Sequence, residues 1–133
     1  MLDIRIDTSD LEDFVKYIPT GDHATIERAA GIALYESVNT FVIPRAMALA
    51  PSKSGMLRNN IYAKMLGFGS VSIVSDVPYA GYQEFGFWHA RGQYQVEGRY
   101  FVQNAIVEAL PEITSRVANT IVFEILLKNI GRR

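Results

Sequence analysis

The stretch Ala50-Pro51-Ser52-Lys53-Ser54-Gly55-Met56-Leu57-Arg58-Asn59-Asn60-Ile61 constrains the fold more than any other part of the chain. A long helical pattern stops at its start, because proline cannot continue a helix and Ser-Lys-Ser-Gly is turn chemistry. From Leu57 the apolar period drops towards two. Leu57, Ile61, Ala63 and Met65 share one parity, opposed by Arg58, Asn60, Tyr62 and Lys64. That alternation predicts a strand. A chain that switches period in this way joins a helical layer to a sheet.

Upstream, Leu2, Ile4 and Ile6 alternate with Asp3, Arg5 and Asp7, a half-buried strand pattern. Ser9 and Glu12 have capping-box spacing, and Leu11, Phe14, Val15 and Ile18 make one apolar stripe, so a short N-terminal helix is expected before Pro19-Thr20-Gly21. Asp22 can cap a second, longer helix carrying Ile26, Ala30, Ala33, Leu34, Val38, Phe41 and Val42. Pro44 predicts a kink or break near Thr40–Pro44, and Gly31 marks a place for close packing. Downstream, Gly67-Phe68-Gly69-Ser70 is a turn, and Val71, Ile73 and Val77 complete an antiparallel hairpin.

Between residues 79 and 101 stand eight of the chain's fifteen aromatic residues. Gly81, Gly86, Gly92 and Gly98 interleave with them, so the segment reads as a long, glycine-hinged loop, with about 86–98 its flexible part. Long loops in compact domains are functional or disordered, and the aromatic content favours contact with a partner. From Gly98 a last helical pattern runs through Phe101, Ala105, Ile106, Ala109, Ile113, Val117, Ile121 and Ile125, with a kink or restart expected at Pro111. Its flanks, Leu110, Val122, Leu126, Leu127 and Ile130, hold more apolar surface than one small sheet needs to cover.

The chain's 133 residues suit a single domain over 1–133, and a composition of 49% hydrophobic and 20% charged residues argues for a packed one. The net charge of -1 gives no sign of a nucleic-acid binder or an anionic-membrane binder. That charge is uneven: residues 1–50 hold eight acids and four bases, residues 51–133 six acids and nine bases. Such a division suits head-to-tail contacts between copies, and equally two ordinary solvated faces. With no cysteine there are no disulfides, thiolate metal sites or Cys nucleophiles. No signal peptide or membrane-spanning run is visible, so a soluble chain is expected.

Catalytic constellations are not in view. His23 and His89 lack metal-ligand spacing, and Glu108 and Glu112 read as a solvated helix face. Ser52 and Ser54 have no nucleophile-elbow context. Glu84, among Tyr79, Tyr82 and Phe85, is the acid placed for burial, and a buried carboxylate needs a partner; Arg58 or Arg99 could supply a structural salt bridge. Trp88-His89-Ala90-Arg91 could stack on bases or sugars, although with few basic neighbours protein contact is the better reading.

Taken in order, a helix, Ala50-Pro51-x-x-Ser54-Gly55-x-Leu57-Arg58-x-x-Ile61, a hairpin, Tyr79-Ala80-x-Tyr82-x-Glu84-Phe85-Gly86 and Arg99-Tyr100-Phe101 opening a last helix make a familiar series. It resembles the neck and tail-completion proteins of long-tailed bacteriophages, the lambdoid gene-product-ten-like group related to minor tail protein Z. The resemblance spans nearly the whole chain. It implies a non-enzymatic structural virion protein at the head–tail junction, a neck, tail-completion or tail-terminator subunit assembled in the host cytoplasm. The implied partners are other copies of the chain, in a hexameric or similar ring, with head-closure or connector proteins and tail-tube or tail-terminator proteins beside it. DNA would pass through the ring without sequence-specific binding.

The expected fold is therefore α+β, a small antiparallel sheet of about three to four strands packed by two long helices, 22–50 and 100–130, plus one short N-terminal helix. No catalytic residue, cofactor, metal or membrane contact is expected. The residues expected to carry assembly are Pro51, Gly55, Leu57, Arg58, Tyr79, Tyr82, Glu84, Phe85, Gly86, Trp88, Arg99 and Phe101. Two other readings stand beside this one. One is a small carbohydrate- or nucleotide-processing enzyme using Glu84; the other is a single-stranded nucleic-acid-binding module on the Trp88 loop.

Overall fold

A four-residue rhythm of buried side chains sets the helical layer. Ile26, Ala30, Leu34, Val38, Val42, Ala46 and Ala50 are all buried. An α-helix turns about 100° per residue, so a stripe of period four drifts about 40° at each step. Left alone, the drift would carry the last members off the core. The computed structural model, which describes residues 2–7, 23–51, 55–67 and 69–131, shows how the chain corrects it. Helix α1 (His23–Ser37) passes into a π-helical segment, Val38–Val42, and then into α2 (Ile43–Leu49). The wider π turn takes back the drift. Pro44, in the first turn of α2, has no N–H to lose there. The expected break near Thr40–Pro44 is thus a change of helix type, with the Ile43 N–H donating to the Val38 carbonyl.

Opposite lies α5 (Phe101–Gly131), 31 residues and about 46 Å long. Ala105, Ala109, Ile113, Val117 and Ile121 are buried, so it too presents an i±4 ridge to α1. The alanines keep that approach close. Pro111 neither ends nor restarts α5. It is exposed, and its missing hydrogen bond would have reached the Val107 carbonyl on the same solvent side. Replacing Pro111 by alanine is expected to stabilise the protein by about 1–2 kcal/mol, seen as a raised melting temperature, because an interior proline costs a helix about 3 kcal/mol before compensation.

The sheet is antiparallel and three-stranded. Strands β1 (Leu2–Asp7), β2 (Tyr62–Gly67) and β3 (Ser70–Ser75) lie in the order β1-β3-β2. Ile4 and Ala63 flank Ile73, and Ile6 and Met65 flank Val71. Val71 and Ile73 are fully buried and join the helix-facing core. The fold is α+β as expected; the short N-terminal helix falls outside the described residues.

Two local readings are corrected. Strand β2 starts at Tyr62 rather than Leu57, because Met56–Asn59 forms a helical turn, α3. Leu57 and Ile61 are four apart, a spacing that fits a helical turn as well as one parity of a strand. Residues 86–98 are not a long loop: Gly86–His89 (β4) and Tyr94–Glu97 (β5) pair as an antiparallel hairpin. Four-residue strands are too short to display a period; of the glycines that read as hinges, Gly86 and Gly98 lie at the hairpin base, Gly92 at its tip, and Gly81 inside a short helix, Ala80–Phe85.

Candidate functional site

The hairpin stands between a short helix, α4 (Ala80–Phe85), and the start of α5. Its base is built from backbone. The Arg99 N–H donates to the Gln83 carbonyl at 2.8 Å, and the Tyr100 N–H to the Glu84 carbonyl at 3.0 Å. Tyr100 holds a positive φ of 49°, a strained setting for an aromatic residue that these contacts enforce. Gly86 (φ 82°) and Gly98 lie back to back at this junction. A Cβ on Gly98 would strike the Glu84 carbonyl oxygen, and one on Gly86 would come within 2.6 Å of the Gly98 nitrogen.

Glu84 completes the junction. It is 0% exposed, and its carboxylate accepts the Val102 N–H at 2.8 Å and the Gln103 N–H at 3.2 Å. Those are two of the four amides that a helix start leaves unpaired, so Glu84 caps α5 from outside the helix. Burial raises its pKa above the ordinary carboxylate value, and the two N–H bonds oppose the shift. The salt bridge expected to Arg58 or Arg99 is not formed. Arg58 Nε is buried without a hydrogen-bond partner, and Arg99 joins the junction through its backbone. A helix N-terminus supplies partial positive charge and donors already in position, which serves a buried carboxylate in place of a guanidinium.

Around the base and along the hairpin, aromatics are displayed. Trp88 is 59% and Tyr82 61% exposed, and Tyr94, Phe85, Tyr79 and Tyr100 are exposed too. Tyr82 meets Phe87 edge-on at 5.5 Å. At the tip, His89 and Tyr94 stack with ring centroids 4.9 Å apart, and the Gly92 N–H donates to His89 Nδ1 at 2.9 Å. Directly paired residues share a face, so Phe87, Val96, His89 and Tyr94 lie on one side and Trp88, Gln95 and Glu97 on the other. The hairpin is a preformed arm.

The other expected residues divide. Leu57 and Phe101 are buried in the common core with Ala80, so the two sequence motifs meet through it. Pro51 follows α2, where Ala50 is extended, and Gly55 starts α3 with φ 72°. These position the chain and are not at the arm. Sequence reasoning took Gly98 only as a loop hinge and missed Val102 and Gln103; the capping amides are backbone and leave no residue signal. It also missed the bond from Arg45 to Glu112 at 2.8 Å, which lowers the Glu112 pKa and makes that acid more than a solvated surface group. Near it an open groove is lined by Phe41, Arg116, Asn119 and Phe123, with the Arg116 guanidinium 5.8 Å from the Phe41 ring centre.

Among the described residues, no group of three or more His, Cys, Asp or Glu is placed to hold a metal ion, and no helix is long and apolar enough to cross a membrane. Comparison of the chain with protein-family models, curated proteins and solved structures found no match.

Proposed function

We propose that this chain is a non-enzymatic assembly subunit of a phage head–tail junction, a neck, tail-completion or tail-terminator protein whose copies form a ring around the DNA path. The observation that carries the assembly role is the arm. Its base is fixed by paired backbone bonds and a buried carboxylate, while Trp88, Tyr94 and Tyr82 are left in solvent. Rigid aromatics displayed at low entropic cost are what interface cores use. The exposed apolar residues on the far half of α5, Val122, Phe123, Leu126 and Leu127, support the same reading. The phage setting rests on the order of motifs from Ala50-Pro51 to Arg99-Tyr100-Phe101. Near-neutral net charge suits a channel wall, because a grip on phosphate scales with clustered Lys and Arg.

The enzymatic reading loses its main residue, since Glu84 is buried with both oxygens engaged by α5 amides. Light scattering and negative-stain images of the purified chain are expected to give rings, alone or on adding tails or heads. Trp88→Ala is expected to weaken that association by about 10–100-fold while leaving the circular dichroism spectrum unchanged. Monomers under all these conditions would overturn the assembly role.

A further inference from the structure

Among the described residues four β edges are open, those of β1, β2, β4 and β5, and two of them, β2 and β5, differ in the way that complementary edges do. In the three-stranded sheet, β1 and β2 are the outer strands, and among the described residues no further strand pairs with either. Strand β1 carries the exposed charges Asp3, Arg5 and Asp7, the kind of residues that keep an edge from pairing. Strand β2 is guarded less by charge, and its register shift between Met65 and Gly67 leaves Tyr62–Met65 as the regular part of the edge. Its exposed residues are Tyr62, Met65 and Leu66, with Lys64 as the single charge. Its entry is held rigid: the Tyr62 hydroxyl donates to Asp76 Oδ2 at 3.0 Å, and the Asp76 N–H to Asn60 Oδ1 at 2.9 Å.

The second of these two edges is on the arm. A two-stranded sheet has only outer edges, and an isolated hairpin of that size is marginal unless something adds to it. Strand β5 offers exposed Tyr94, Gln95 and Glu97, with Glu97 as its single charge. One edge is apolar with a lone cation, and the other is aromatic with a lone anion. Like charges facing each other disfavour β2 against β2 and β5 against β5, whereas β2 against β5 places opposite charges together. The acids of β1 would repel Glu97.

We infer that β5 of one copy adds to the β2 edge of the next, joining the arm and the three-stranded sheet into one sheet that crosses the subunit boundary. The inference rests on the assembly role proposed above and names its contact. Because the surfaces are different, the contact is heterologous, and it propagates into a ring or an open filament according to the rotation between copies.

The chain has no native cysteine, so cross-linking has a clean background. With Lys64 opposite Glu97 in an antiparallel pair, Leu66 faces Gln95; Leu66→Cys and Gln95→Cys, made as separate proteins and mixed under mild oxidation, are expected to form a disulfide heterodimer several-fold in excess of either homodimer. Lys64→Glu and Glu97→Lys are each expected to weaken self-association about tenfold by sedimentation, and the double variant to restore it. Circular dichroism and thermal melting check that each variant folds. If the wild type assembles but the reversals change nothing, or cross-links fall mainly on homodimers, the β2–β5 contact is wrong and the assembly role survives. If the wild type stays monomeric at every concentration and with heads or tails added, both fall.

Discussion

Glu84→Ala is expected to destabilise the protein by about 3–4 kcal/mol in urea denaturation, combining the cost of unpaired buried amides with that of a cavity. The Val102 and Gln103 N–H groups would lose their acceptor in a place closed to water, and the first turn of α5 would lose its cap. Glu84→Gln should cost about 1–2 kcal/mol, since its amide oxygen can still accept one N–H while its NH2 faces the other. Equal losses in the two variants would mean that filling the space, and not accepting the hydrogen bonds, is what the position requires. The same residue gives a pH signature. Burial raises its folded pKa, so the folded state holds the proton more tightly than the unfolded chain does. Its contribution is full below the ordinary carboxylate range and is lost as pH rises through the raised value. Subtracting the Glu84→Gln curve from the wild-type curve should isolate that falling limb. The Glu112 effect, which has the opposite sign, is common to both proteins and cancels.

Alanine at Gly86 or Gly98 is expected to cost about 2–4 kcal/mol each, and to free the hairpin base rather than the core. At Gly98 the new Cβ would meet only backbone, including the Gly86 nitrogen at 2.7 Å, which cannot move without opening the Glu84–Tyr100 bond. At Gly86 the same crowding adds to a φ of 82°, so this variant should be the worse of the two. Gly92 gives the contrast. Its Cβ would meet the Tyr94 ring, a side chain that can swing away, and the loss should stay below about 1 kcal/mol. Hydrogen exchange at the Arg99 and Tyr100 amides is the direct readout. Fast exchange in Gly98→Ala with a protected α5 interior would locate the damage at the base. Uniform loss of protection would contradict it.

The fold was legible wherever a period had room to repeat. Strand β1 announces itself by Leu2, Ile4 and Ile6, and α5 by an apolar series from Phe101 to Ile125. Pro44 marked the break between α1 and α2, though not its form. A π segment answers to the stripe of period four, and that becomes decisive only once α5 shows which residues must face it. At the candidate site, Tyr79–Gly86 and Arg99-Tyr100-Phe101 were recognisable as members of one motif series, and Glu84 as an acid placed for burial. Its partner was not legible, because arginines can be read in a sequence and free helix amides cannot. The hairpin was hidden for a related reason. Four-residue strands and four glycines in the surrounding segment look like a loop until cross-strand pairing is known.

The seam from Ile26 to Ala50 also makes one part of this chain tolerant of a change in length that most helices would not absorb. Substitution at one of its seven buried positions edits one contact. Loss of a single residue between Val38 and Val42 would let the segment close into an ordinary α-helix, since its π residues turn the chain about as far as one fewer α residue does. Ile43, Met47 and Pro51 would stay near their present places, and only the slots inside the segment would be refilled. Sequence drift in this helix is therefore free to change letters on the solvent side, and Val38–Val42 is where the count can change with least disturbance.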